Sequence, residues 1–126
     1  MAIRSFRDLI AWQRAMQLTE QIYALTANFP RTEQYGLTAQ LRRAAVSIAS
    51  NIAEGHARQT GHYLNHLSVA CGSSAELQTQ LELACRLGLV DPTRAAPVMD
   101  SAAEVGRLLH ALAAAVGQRR LQVSNP

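Results

Sequence analysis

The chain has 126 residues, 48% of them apolar and 5% aromatic, with 12 arginines, no lysine, nine acidic residues and a formal charge of +3. That length fits a single domain, and a core so poor in rings has to be built from Ala, Leu, Ile and Val. No run of 18 apolar residues is present, which excludes a membrane-spanning helix.

The opening stretch MAIRSFRDLI carries Arg4, Arg7 and Asp8 and lacks the apolar centre of a signal peptide, so a cytoplasmic location is expected. Cys71 and Cys85 are too few for a disulfide framework and are expected to be reduced. Using arginine alone suits forked contacts to phosphate and carboxylate, although codon bias in a GC-rich genome produces the same composition. Residues 1–63 hold seven arginines and four acids, and residues 64–126 hold five of each, so the positive excess lies in the first half.

In chain order, Asp8 is placed to cap or charge-stabilise the start of a first helix. Leu9, Trp12, Met16, Tyr23 and Phe29, with Ala15, Ile22 and Leu25 beside them, form a stripe of helical period that Pro30 ends. Thr32 offers an N-cap and Glu33 a first-turn acid for a second helix, although Gly36 can delay its ordered start to about Leu37. On that helix Leu37, Leu41, Ala44, Ile48 and Ile52 share one face, and Gly55 stands where a C-cap residue of positive φ is expected.

The polar break HARQTG follows, with Thr60 as a cap for a third helix. There Tyr63, Leu67, Ala70, Ser74, Leu77, Leu81, Ala84 and Gly88 alternate steps of four and three, a heptad-like seam. Asp91 and Pro92 start a fourth helix, in which Pro97 sits awkwardly, so that the main helix can begin nearer Val98. Its stripe is Val98, Ala102, Val105, Leu109, Leu112 and Val116. The expected helices therefore run over about 8–28, 33–55, 60–87 and 92–117, joined by short loops. Successive helices of this kind pack antiparallel, which predicts an all-α, up-down-up-down four-helix bundle in one domain.

Four groups of residues carry chemistry. Arg42 and Arg43 are the paired charges inside a helical pattern, and they either contact phosphate or form salt bridges to Glu54, Glu76 or Glu82. Ser47, Asn51 and Glu54 lie on one side of the same helix and read as a structural polar network fixing helix register, with a polar partner site as the alternative. Glu54 also has Arg58 at i,i+4.

His62 and His66 have the i,i+4 spacing of metal ligands but no further ligands at a recognisable spacing, so no metal and no cofactor is expected. Cys71 and Cys85, about 21 Å apart along one helix, cannot bond to each other and read as small apolar residues. A phosphate-binding glycine loop, a nucleophile elbow and a paired-carboxylate arrangement are all missing from the sequence, so no enzymatic activity is expected.

The blocks FRDLIAWQRAMQLTEQIY, FPRTEQYGLTAQLRRAAVSIASNIAEG and SVACGSSAELQTQLELACRLG resemble the four-helix-bundle family first noted in reading frames inside intervening sequences of bacterial large-subunit ribosomal RNA genes. The resemblance spans about residues 6–88. It implies a left-handed four-helix bundle that often assembles as a ring-like homopentamer. It also implies kinship with accessory proteins of diversity-generating retroelements, which are basic and associate with a reverse transcriptase and nucleic acid.

On that basis the expected role is a homo-oligomeric accessory module with RNA, DNA or a nucleic-acid-processing protein as partner. Arg42, Arg43, Arg58, Arg119 and Arg120 would supply its phosphate contacts. The alternative is a protein-interaction or scaffold module that binds no nucleic acid and uses these arginines between subunits.

Overall fold

The computed structural model describes the backbone of residues 2–124 and the side chains of residues 2–119. Four helices account for most of it: α1 (Ile10–Thr26), α2 (Leu37–His56), α3 (Thr60–Arg86) and α4 (Pro92–Ser124). Short 3₁₀ turns at Phe6–Asp8 and Arg31–Glu33 precede α1 and α2. No strand is present among the described residues.

Each helix packs on two others. α1 and α3 both contact α2 and α4, whereas the diagonal pairs α1/α3 and α2/α4 do not approach. Side-chain contacts fix the sense of each neighbour. Thr19 and Thr26 of α1 bond to Ala45 and Arg42 of α2, and Ser47 and Asn51 of α2 bond to Ser73 and His66 of α3. Leu9, just before α1, and Leu25 within it line grooves with Leu112 and Val98 of α4. Gly106 of α4 lies over Ser74 and Gln78, and Met99 lies near Leu81. In every case one helix number rises as the other falls, so all four contacts are antiparallel.

The core is aliphatic. Leu18, Ile22, Leu41, Ile48, Ile52, Leu67, Leu77, Leu81, Val105 and Leu109 are fully buried, with alanines between them that let the helices close. The α2 stripe and the α3 seam from Tyr63 to Ala84 are buried throughout, as their periodicity demands. The α1 stripe is rotated from the expected one. Ala11, Ala15, Leu18, Ile22 and Leu25 face inward, while Met16 and Tyr23 are 40% and 44% exposed.

Several local expectations resolve differently. Asp8 closes a capping box with Ser5 around the 3₁₀ turn: the Ser5 hydroxyl accepts from Arg7 N–H and Asp8 accepts from Ser5 N–H. Helix α1 proper begins after it. Thr32 and Glu33 belong to the second 3₁₀ turn, and the Glu33 carboxylate accepts the N–H of Leu37 at 3.1 Å, so α2 starts at Leu37.

Thr60 is the first residue of α3 and not its cap; Gln59 occupies the cap position without a side-chain bond. Pro97 lies inside one continuous α4, past its first turn, where it removes the i→i−4 bond to the Thr93 carbonyl without ending the helix. Gly55 lies within α2 and has no positive φ. Its reason is packing, because a Cβ there would meet Tyr63 Cδ1 at 2.8 Å and His66 Cβ at 2.9 Å. The left-handed residue is Gly88, φ 73°, which ends α3.

Candidate functional site

Arg42 and Arg43 are adjacent in sequence, and the 100° turn between them sends them to different grooves. Arg42 turns toward α1. Its Nε donates to Thr26 Oγ1 at 2.9 Å and its guanidinium lies 4.5 Å from the centroid of the Tyr23 ring. Thr26 is itself buried and donates to the Ile22 carbonyl at 2.7 Å, so the anchor is rigid.

Arg43 turns toward α3. It is exposed and borders an open groove of about 260 Å³ with Gln40, Ser47, Ser73, Glu76 and Gln80. Neither arginine forms an ion pair with Glu54, Glu76 or Glu82 among the described residues. Glu82 pairs loosely with Arg86, 3.7 Å away one turn on.

Ser47, Asn51 and Glu54 continue along the α3-facing side of α2. The Ser47 hydroxyl meets that of Ser73 at 2.8 Å, and Asn51 Nδ2 donates to the Ser47 carbonyl at 2.8 Å and its hydroxyl at 3.2 Å. Asn51 Oδ1 faces His66 Nδ1 at 2.9 Å, and Glu54 Oε2 lies 3.6 Å from the same nitrogen. Because the Asn51 amide N–H is committed to Ser47, its oxygen can only accept, so neutral His66 carries its proton on Nδ1. The network thus ties α2 to α3 over two turns. Glu54 pairs with His66, and no ion pair to Arg58 forms among the described residues.

His62 is exposed and separate from this cluster. No group of three or more His, Cys, Asp or Glu side chains gathers as a metal site among the described residues. Cys71 and Cys85 are free thiols, partly buried against the core, and burial pushes the Cys71 thiol above its usual range.

The antiparallel topology collects four arginines from distant parts of the sequence at one end of the bundle. Arg4 and Arg7 precede α1, Arg58 follows α2, and Arg119 lies near the C-terminus of α4; all four are exposed. The acids of this end are Asp8, held in its capping box, and Glu54, turned onto His66. The opposite end mixes Arg31, Arg42, Arg43, Arg86 and Arg94 with Glu20, Glu33, Glu76, Glu82, Asp91 and Asp100. The side chain of Arg120 lies outside the described residues.

The family model of the 23S rRNA-intervening sequence protein matches residues 7–111. The chain belongs to this family. The fold of this chain is similar to the crystal structure of a protein with unknown function from the S23 ribosomal protein family of Bacteroides thetaiotaomicron. The TM-score is 0.74 at 20% identity, covering 82% of this chain and 98% of that one. Among curated proteins no match is found.

Within this family member, sequence reasoning missed four participants. His66 and Ser73 complete the α2/α3 network, and Thr26 with Tyr23 anchors Arg42. Ser73 lies just off the seam through Ala70, Ser74 and Leu77, and His66 one residue before Leu67, so helical geometry could have flagged both as groove-facing. Nothing local marks Tyr23 as the partner of Arg42, because their pairing depends on how α1 is rotated.

Proposed function

We propose that this intervening-sequence family protein is a non-enzymatic, self-associating helical module whose basic end engages the phosphate backbone of nucleic acid. The observation carrying this reading is the convergence of Arg4, Arg7, Arg58 and Arg119 at the end where α1 begins and α2 ends, with few opposing acids. Phosphate recognition without base reading needs such a surface of unpaired guanidinium groups. Arg43, exposed and without an ion pair among the described residues, adds a cation on the adjoining α2/α3 groove.

Self-association is supported by the outer face of α1 and α2. Met16, Tyr23 and Val46 are each about two-fifths exposed and follow the same side of the pair as Arg42. An apolar strip of this kind calls for a partner surface. In a ring of subunits each arginine repeats, which turns a modest charge into a belt. The five-fold ring implied by the family resemblance would give that arrangement.

The apolar strip also favours a second reading. A scaffold that binds protein alone would use Met16, Tyr23 and Val46 and leave the basic end idle.

A salt titration separates the two. Labelled single-stranded RNA and a DNA duplex are titrated with the protein across salt concentrations, with mass from light scattering on the same sample. Micromolar or tighter binding that weakens steeply with salt supports the phosphate-binding module, and the log–log slope counts the phosphates engaged. A clean oligomer without binding at low salt overturns it in favour of the scaffold.

A further inference from the structure

The groove between α2 and α3 is lined by Gln40, Arg43 and Ser47 from one helix and by Ser73, Glu76 and Gln80 from the other, at steps of three and four on each. Antiparallel packing sets the two series against each other in reverse. The Ser47 and Ser73 hydroxyls meet at 2.8 Å at one end, and Gln80 Nε2 donates to Gln40 Oε1 at 3.5 Å at the other. Arg43 and Glu76 fall between these two bridges, on opposite walls of a space of about 260 Å³ that also borders the small Ala44.

Opposite charges lining so short a groove would be expected to pair, yet neither Arg43 nor Glu76 forms an ion pair among the described residues. A second, independent feature lies beside them. Gln80 Oε1 is sealed from solvent and has no hydrogen-bond partner among the described residues. An unpaired buried amide oxygen is costly. Its amide is held by the 3.5 Å contact to Gln40, too long for a strong bond, so the oxygen can turn into the groove once a donor enters.

These three unmet capacities differ in sign. Arg43 lacks an anion, Glu76 lacks a cation and Gln80 lacks an N–H donor. A phosphate or carboxylate alone would answer Arg43 and be repelled by Glu76, and a simple cation would meet the reverse. A molecule that carries a carboxylate and an ammonium close together answers all three, and its zero net charge matches that of the groove. The space is smaller than the roughly 300–1,000 Å³ of pockets for drug-sized ligands, so the molecule is small.

We infer that the α2/α3 groove is a binding site for a free α-amino acid, with its carboxylate on the Arg43 guanidinium and its ammonium between the Glu76 carboxylate and Gln80 Oε1. The serine pair and Gln40 close the two ends. This site goes beyond the phosphate-binding reading of the basic end and stands without it.

The test titrates the full chain, ¹⁵N-labelled, with glycine, and in parallel with sodium acetate and methylammonium chloride at equal ionic strength. Glycine is expected to shift the Arg43 Nε–H, the side-chain amides of Gln40 and Gln80 and the Ser73 amide saturably, and the two singly charged probes are not. Arg43→Gln and Glu76→Gln each remove one charge from an exposed position. Each is expected to weaken glycine binding roughly tenfold, the scale of a lost charge-assisted bond. Arg42→Gln, which alters the α1 side of the same helix, should leave glycine binding unchanged.

If glycine moves none of these signals, or if both groove variants bind it as the parent does, the site is overturned. If acetate saturates the same signals and binds Glu76→Gln more tightly than the parent, the groove is a simple anion site and the amino-acid inference falls. Losses in both groove variants with Arg42→Gln unaffected support it, whether or not the protein binds RNA.

Discussion

The guanidinium of Arg42 lies 4.5 Å from the centroid of the Tyr23 ring, across the α1/α2 contact, with its Nε on Thr26. One residue later, Arg43 faces the opposite groove with no ion pair among the described residues. Two adjacent arginines therefore have separable roles. Arg42→Gln should lower stability by about 1–2 kcal/mol, the scale of a cation–π contact plus a hydrogen bond. Arg43→Gln should leave urea unfolding within about 0.5 kcal/mol of the parent and weaken RNA binding. The reverse pattern would mean that the two side chains have been assigned to the wrong grooves.

Two helical glycines should respond oppositely to alanine. At Gly55 a Cβ would press on the Tyr63 ring and on His66, and overpacking of this kind costs about 1–3 kcal/mol. At Gly72, exposed within α3, the added Cβ meets nothing within 4 Å. Gly72→Ala should therefore stabilise, by up to about 1 kcal/mol, through helix propensity. Thermal unfolding of the two variants side by side checks the contrast.

Leu77 and Leu81 are fully buried in the α3 seam. Either one changed to alanine should cost about 2–5 kcal/mol in chemical denaturation. Met16→Ala, at a position expected from the α1 stripe to be core but found exposed, should cost under about 1 kcal/mol in the monomer. A large loss at Met16 with a fall in oligomer mass would instead place it inside a subunit contact.

The Asn51–His66 bond makes a spectroscopic prediction. The ¹⁵N shifts of neutral His66 should report the Nδ1–H tautomer, because Asn51 Oδ1 accepts from that nitrogen at 2.9 Å. Asn51→Ala should release the ring to the commoner Nε2–H form. An unchanged tautomer in the variant would mean that Asn51 does not hold the ring.

The helical architecture was legible because apolar spacing is a local signal. The α2 and α3 stripes carry large aliphatic residues at strict steps of three and four, which leave one orientation that buries them. The α1 stripe was harder to read. Its inward positions include the small Ala11 and Ala15, while the larger Met16 and Tyr23 on the adjacent face drew the eye outward. Caps are hard to read from sequence for a related reason. Gly55 and Thr60 look like terminal residues in isolation, but a hydrogen bond or a neighbouring ring decides what each does. The α2 part of the polar network was visible in the sequence as Ser47, Asn51 and Glu54. Its other half, Ser73 and His66, comes from a helix whose register against α2 no local pattern encodes.

By itself the sequence determined four helices, an aliphatic core and a short list of arginines, since periodicity, composition and turn residues act over a few positions along the chain. Only the tertiary structure decided which charges act together. The sequence divides its positive excess between halves of the chain, whereas antiparallel packing sorts charge between ends of the bundle. Arg4, Arg7, Arg58 and Arg119 meet because the start of α1, the end of α2 and the last turns of α4 lie at one end. Tyr63 likewise becomes a buried donor, without a partner among the described residues, because Gly55 leaves room for its ring where α3 closes onto α2. Such proximity follows from helix packing over tens of residues.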